Sequence, residues 1–72
     1  MPDIEVNRAG FLRLGHRIGI ESERDLARRM GMNHATVSRA LSGQAAPGRR
    51  FIAASLKLFG HGWFGELFTV ID

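Results

Sequence analysis

The sequence predicts an all-α fold: a compact bundle of four to five helices that forms a single domain over residues 1–72. Two observations lead to this prediction. Apolar residues recur three or four positions apart along most of the chain, which is the period of a helix with one buried face. Residues that favour helix starts precede these segments, and glycines follow them. The starting residues are Asn7, Ser22 and Asn33, and the terminating glycines are Gly19, Gly31 and Gly43.

The first helix is predicted over residues 8–18, with Asn7 as its N-cap. Phe11, Leu14 and Ile18 fall on one face of this helix, so we expect them to enter the core. Gly19 follows and is expected to end the helix.

The second helix is predicted to begin after Ser22, whose hydroxyl can accept a hydrogen bond from a backbone amide of the first turn. Asp25 lies three residues further on, where an acidic residue completes a shortened capping box. The inward-facing residues of this helix are expected to be Leu26, Ala27 and Met30.

A glycine turn is predicted to join the second helix to a third. Gly31 is expected to take the left-handed backbone conformation, where a side chain is unfavourable. Asn33 then caps a helix that runs through residue 41, and Gly43 stops it. The expected buried side chains of the third helix are Val37, Ala40 and Leu41.

Pro47 is predicted to open a fourth helix, because proline is favoured at the first helical position. The helix extends to residue 59 and ends at a Gly-His-Gly break. Its expected core-facing residues are Phe51, Ile52, Leu56 and Phe59.

The tail combines helical and strand signals. Residues 63–67 are compatible with a helical turn, whereas residues 68–71 are aromatic and β-branched, which favours a strand. Ile4 and Val6 alternate with polar residues in the same way. The two termini are therefore expected to form a small β-pairing, or else the C-terminal strand pairs with its twin across a dimer axis.

Composition excludes several functional classes. The chain has no cysteine, and its three histidines are 18 and 27 residues apart, so we expect no disulfide, metal site or cofactor. It has no Ser-His-Asp arrangement and no phosphate-cradling glycine loop, so we expect no catalytic residues, no enzyme activity and no small-molecule ligand. No signal-like segment and no apolar run of ~18 residues is present, so we expect a soluble cytoplasmic protein without a membrane partner.

Positive charge is concentrated in the middle of the chain. All ten basic residues lie between Arg8 and Lys57, a stretch that contains only three acidic residues and carries a net charge of +7. The remaining acids lie near the two ends and contribute −4. This distribution is typical of a phosphate-binding face from which the termini are kept clear.

The predicted exterior of the third helix has no acid and mostly short side chains. Arg39 can bind the O6 and N7 atoms of guanine with both ends of its guanidinium group, and His34 and Ser38 can hydrogen-bond to base edges. Ala35 and the methyl group of Thr36 can contact a thymine methyl group. We therefore expect these five residues to contact DNA bases.

Phosphate contacts are expected around that helix. Ser22 and the first-turn amides of the second helix form one anchor, although Glu23 repels phosphate unless Arg24 or Arg28 neutralises it. The other expected phosphate-contacting residues are Asn33, Ser42, Gln44, Arg49 and Arg50.

Residues 26–43, LARRMGMNHATVSRALSG, resemble the Cro/repressor-type (XRE-like) helix-turn-helix family of phage repressors and bacterial regulators. The matching features are the Leu-Ala pair, the glycine turn, Val-Ser-Arg, and Ser-Gly where the family often has Asn-Gly. The resemblance covers residues 8–67 and implies a lambda-repressor-like bundle with a central helix-turn-helix at residues 22–43. It also implies that the recognition positions are Asn33, His34, Ala35, Thr36, Ser38 and Arg39.

These observations predict a sequence-specific double-stranded DNA-binding protein, a transcriptional regulator that occupies an operator in a bacterial or phage-infected cell. A module of this size gains affinity as a homodimer on a palindromic site. Residues of the tail are expected to form the dimer contact or, alternatively, to close the monomer core. They are Trp63, Phe64, Phe68 and Val70. The competing functions are a protein-interaction module, such as an antitoxin or adaptor, and an architectural or excision factor that bends DNA.

Overall fold

The computed structural model describes residues 1–72 and has five α-helices, one 3₁₀ turn and a two-stranded antiparallel sheet. The predominantly helical architecture agrees with the predicted bundle. In chain order the elements are β1 (Asp3–Val6), α1 (Arg8–Arg17), α2 (Glu23–Met30), α3 (His34–Ser42), α4 (Arg49–Phe59), the 3₁₀ turn (His61–Trp63), α5 (Phe64–Leu67) and β2 (Phe68–Ile71).

The first three helices begin where the capping residues predict. The side chain of Asn7 accepts a hydrogen bond from a first-turn amide at 3.3 Å, and Ser22 and Asn33 do the same at 3.0 and 2.8 Å. Gly31 and Gly43 end α2 and α3 with φ angles of 69° and 83°, in the left-handed region that favours glycine. Local backbone chemistry therefore fixes the ends of the two central helices.

The core is organised around the ring of Phe11. Its centroid lies 5.5 Å from that of Phe51, 5.9 Å from Phe59 and 5.7 Å from Phe68. Such separations are typical of favourable tilted and edge-to-face aromatic pairs. The cluster joins α1, α4 and the start of β2. The buried apolar residues are Phe11, Leu14, Leu26, Ala27, Met30, Val37, Ala40, Leu41, Phe51, Leu67 and Phe68.

The two chain termini pair with each other. β1 and β2 run antiparallel, with Ile4 opposite Val70 and Val6 opposite Phe68. Of the two arrangements that the sequence allows for the C-terminal strand, the structure has the pairing within one chain. Phe68 consequently points into the core, with 2 % of its surface exposed.

A close backbone contact holds α5 against α1. Gly10 is buried, and a Cβ atom at this position would stand 1.8 Å from the carbonyl oxygen of Glu66. The amide of Asn7 donates to the carbonyl of Leu67 at 2.8 Å beside this contact. Residue 10 must therefore be glycine because the backbone of α5 lies directly against it. The backbone conformation of Gly10 itself is helical and would accept other residues.

Several sequence predictions need correction. Ile18 is 42 % exposed, because α1 ends at Arg17 and the chain turns away before residue 18 reaches the core. Pro47 does not open α4. Gly48 takes the extended N-cap conformation instead, so the helix begins at Arg49.

The capping box at the start of α2 also differs in detail from the prediction. The carboxylate of Asp25 accepts from the amide of Glu21 at 3.4 Å, rather than from the amide of Ser22. The short aspartate side chain reaches the residue before the N-cap.

None of the helices combines the length and the hydrophobicity that crossing a membrane requires.

Candidate nucleic-acid interface

A three-residue turn places α3 across α2. The amides of Gly31 and Met32 donate to carbonyls in the last turn of α2, and Asn33 then caps α3. α3 packs against α2 through one face only, which contains Val37 with 0 % exposure. Because this face is fully used by the core, the opposite face of α3 is the one available for binding.

The outward face of α3 has no acidic side chain. Arg39 is exposed near its middle, and the short side chains of Ala35 and Thr36 are exposed in its first turn. His34 and Ser38 are half-buried at the edges of this face. The structure thus brings the five predicted base-contacting residues together on one helix, with the smallest side chains near its start, where another surface can approach closely.

Two polar residues at the ends of α3 already make hydrogen bonds within the chain. The side-chain oxygen of Asn33 accepts from the amide of Ala35, which leaves the side-chain amide free to donate. The hydroxyl of Ser42 donates its single proton to the carbonyl of Arg39 at 3.2 Å. Ser42 is exposed, so its predicted contact with phosphate requires the hydroxyl to leave this carbonyl. The side chain of Gln44 is exposed and makes no hydrogen bond within the chain.

The arginines on α3 and at the start of α4 are without ionic partners. Arg39, Arg49 and Arg50 are exposed and have no carboxylate within 4.0 Å. Other arginines are paired within the fold: Arg8 with Glu23, Arg13 with Glu66, and Arg28 and Arg29 with Asp25. The guanidinium groups of these three arginines are therefore not engaged in ion pairs within the fold.

Glu23 is neutralised by a residue that the sequence did not single out for this role. Arg8 of α1 donates to its carboxylate at 3.0 Å, so the partner is neither Arg24 nor Arg28. This contact joins residues 15 positions apart and depends on how α1 and α2 pack. Arg24 is exposed and has no carboxylate within 4.0 Å, which makes it a further candidate for phosphate binding that the sequence analysis missed.

The start of α2 carries negative charge beside Ser22. The Arg28 guanidinium hydrogen-bonds to the Asp25 carboxylate and lowers the pKa of that carboxyl below its ordinary value, and the amide of Glu21 acts in the same direction. Asp25 is therefore ionised at neutral pH. With Glu21 exposed nearby, this helix end is a weaker anion site than its amides alone would provide.

The N-terminal acids lie closer to α3 than the charge distribution predicts. Asp3 and Glu5 of β1 line an open cleft together with Ser42 and Gly43, at the C-terminal end of α3. The pairing of β1 with β2 brings them there. The expectation that the N-terminus stays clear of this region is corrected, and the start of α3, rather than its end, is the less acidic part of the surface.

The residues predicted for a dimer contact differ in exposure. Val70 is 64 % exposed and Trp63 is 39 % exposed. Phe64 is half-buried, with its ring 5.1 Å from that of Phe68. Phe68 is buried within the monomer, which matches the alternative that the tail closes the monomer core.

No group of three or more histidine, aspartate or glutamate side chains converges where a metal ion would be held. A comparison of the chain with known protein families, curated proteins and solved structures found no match.

Proposed function

We propose that the protein binds double-stranded DNA at specific sequences and regulates transcription by occupying an operator. In this proposal α2, the Gly31 turn and α3 form a helix-turn-helix of the Cro/repressor type, and α3 enters the major groove. The observation that carries the proposal is the outward face of α3: it is free of acids, short-chained at its start, and has Arg39 at its centre.

Arg39 is the proposed sequence-reading residue. It has no internal ionic partner, so binding to guanine requires no ion pair of the fold to break. A bidentate contact between arginine and guanine discriminates against other bases by about 1–3 kcal/mol. Ala35 and Thr36 let the helix approach closely, and His34 and Ser38 add hydrogen bonds at the edges.

Arg49 and Arg50 are the proposed phosphate contacts. They follow the loop after α3, and the N-cap of their helix is a glycine without a side-chain cap, so the first-turn amides of α4 are also open to an anion. Gln44 and Arg24 are secondary candidates. Ser22 contributes less, since Asp25 and Glu21 lie beside it.

We further propose that DNA binding involves a homodimer on a palindromic site, with half-sites about 34 Å apart. β2 has a neighbouring strand on one edge only, and Val70 is its most exposed apolar residue. The free edge offers unpaired backbone groups to the β2 of a second copy. The intramolecular pairing with β1 leaves this edge available.

Selection of duplexes from a random pool, followed by sequencing, tests the proposal. We expect a palindromic consensus that contains a guanine at the position read by Arg39. The variant Arg39→Ala should bind that consensus about 10- to 100-fold more weakly and should relax the preference at the guanine.

Arg13→Ala is the matched control, because it removes an exposed arginine of another helix, α1, that pairs with Glu66. Its affinity should stay within about threefold of the parent protein, since an exposed ion pair is worth little. Failure to enrich any sequence, or equal affinity of the two variants, would contradict the proposal. Enrichment without a palindrome would favour an architectural factor, and binding of a protein in place of DNA would favour the interaction module.

A further inference from the structure

A second surface, whose lining residues include no acid, lies at the ends of α1, α2 and α4, and no residue of α3 contributes to it. Two open cavities share Leu58 in their linings, and we refer to the two together as the α1–α4 groove. Apolar side chains line one half, and two of them are unusually exposed: Ile18 at 42 % and Trp63 at 39 %. The other apolar residues in that half are Leu14, Leu58 and Phe59.

Cationic side chains border this apolar lining. Arg17 lies with its guanidinium carbon 5.6 Å from the centroid of the Trp63 ring. Arg28, Arg29 and Lys57 line the other half of the groove, where no carboxylate faces the opening. Asp25 pairs with Arg28 and Arg29. Four cationic side chains thus line the groove, and a single carboxylate pairs with any of them.

The negative ends of the helices explain the position of these cations only in part. Each lies in the last turn of its helix, where a positive charge offsets the negative helix end. Three helix ends carry about half a negative charge each, which is less than the excess of cations. Helix-end electrostatics also gives no reason for exposed apolar side chains between the charges.

A second copy of this chain is a poor occupant for the α1–α4 groove. In a two-fold dimer the same patch meets itself, so the arginines and Lys57 of one copy would face those of the other. Like charges brought together across an interface cost several kcal/mol. A nucleic-acid backbone satisfies the cations but leaves Ile18 and Trp63 without an apolar partner.

We propose that the α1–α4 groove binds an acidic amphipathic helix of a partner polypeptide. Its apolar stripe would cover Ile18, Leu58 and Trp63, and its flanking carboxylates would pair with Arg17, Lys57 and the arginines of α2. This is the helix-in-groove mode of recognition, in which the bound helix places apolar residues at positions i, i+3, i+4 and i+7 into the groove. Because α3 takes no part, the protein can hold this partner and DNA on separate faces.

The single tryptophan of the chain makes the proposal directly measurable, since Trp63 lies in the groove. The probe is a synthetic peptide of about 15 residues, long enough to form a helix, with leucine at the stripe positions and glutamate elsewhere. The comparison peptide keeps the leucines and carries lysine in place of glutamate. We expect the acidic peptide to change Trp63 fluorescence saturably and the basic peptide to leave it unchanged.

Two variants test the apolar and charged halves of the groove separately. Ile18→Ser should weaken binding of the acidic peptide about tenfold, the loss expected for one buried aliphatic side chain. Its control is Leu12→Ser, which removes a leucine of α1 that is 54 % exposed and does not line the groove. Lys57→Glu should weaken binding about fivefold or more. Its control is Arg50→Glu, on the same helix but away from the groove.

Support requires that both groove variants lose affinity while both controls keep that of the parent protein, with folding verified by circular dichroism. An unchanged Trp63 signal with the acidic peptide would overturn the proposal. So would equal binding of the two peptides, or a fluorescence change that depends on protein concentration alone and therefore reports a second copy. None of these measurements uses DNA, so their outcome is separate from that of the DNA-binding proposal.

Discussion

The contact between α1 and α5 predicts opposite effects for two glycine substitutions in the same helix. In Gly10→Ala the new Cβ would stand 1.8 Å from the carbonyl oxygen and 2.8 Å from the carbonyl carbon of Glu66, and both are backbone atoms. α5 must then move by roughly 1 Å or more to restore normal contact distances. Gly15→Ala places its Cβ 3.5 Å from Ile20, which is ordinary van der Waals contact.

The magnitudes follow from three contributions. Alanine gains about 1 kcal/mol over glycine inside a helix. Overpacking at Gly10 costs about 1–3 kcal/mol. Moving α5 also exposes part of Leu67 and Phe68, each worth about 1.5–3 kcal/mol when fully buried. We expect Gly10→Ala to destabilise the fold by about 2 kcal/mol, lowering Tm by about 8–16 °C in a domain of this size.

Gly15→Ala is expected to gain about 0.5–1 kcal/mol and to raise Tm by a few degrees, because only the helix-propensity gain operates there. Thermal unfolding followed by far-ultraviolet circular dichroism measures both variants under one set of conditions. If Gly10→Ala were as stable as the parent protein, the close approach of α5 to α1 would be wrong.

Three further predictions concern the core, the phosphate contacts and one titrating group. Val37→Asp should unfold the domain, because Val37 is 0 % exposed and an unpaired buried carboxylate costs several kcal/mol. A cooperative unfolding transition in this variant would contradict the assignment of the inward and outward faces of α3. Arg49→Ala should reduce the slope of log K against log salt concentration by about 0.9 in DNA-binding titrations, and an unchanged slope would remove Arg49 from the phosphate contacts. Arg28 lowers the pKa of Asp25 from its ordinary 3.8, so the ionised carboxylate stabilises the folded state at neutral pH, and this stabilisation is lost as pH falls through the folded-state pKa. Asp25→Asn should therefore be less stable than the parent protein at about pH 7 and equally stable below that pKa. Denaturant unfolding across the pH range measures this difference, and a difference that is the same at all pH values would refute the assignment.

The features that the sequence predicts correctly depend on local chemistry. The caps at Asn7, Ser22 and Asn33 need only a side-chain oxygen near a first-turn amide. The ends at Gly31 and Gly43 need only a left-handed residue. The buried stripe of α3 follows from helical periodicity, and the five predicted base-contacting residues lie together for the same reason.

The features that the sequence misses depend on contacts between distant segments. Arg8 neutralises Glu23 only because α1 packs beside α2, and Gly10 is required only because α5 crosses α1 at that residue. The approach of Asp3 to the end of α3 follows from the pairing of the termini. Periodicity gives the inward face of a helix but not where the helix ends, so it does not predict that α1 stops at Arg17 and leaves Ile18 exposed.

In the proposed complex, the outward face of α3 contacts the bases of a DNA duplex. Nuclear magnetic resonance titration of the ¹⁵N-labelled protein with the selected duplex measures this residue by residue. We expect the largest amide shift changes at residues 34–39, with a second group at the start of α4 around Arg49. Large changes elsewhere, with residues 34–39 unaffected at saturation, would contradict this expectation.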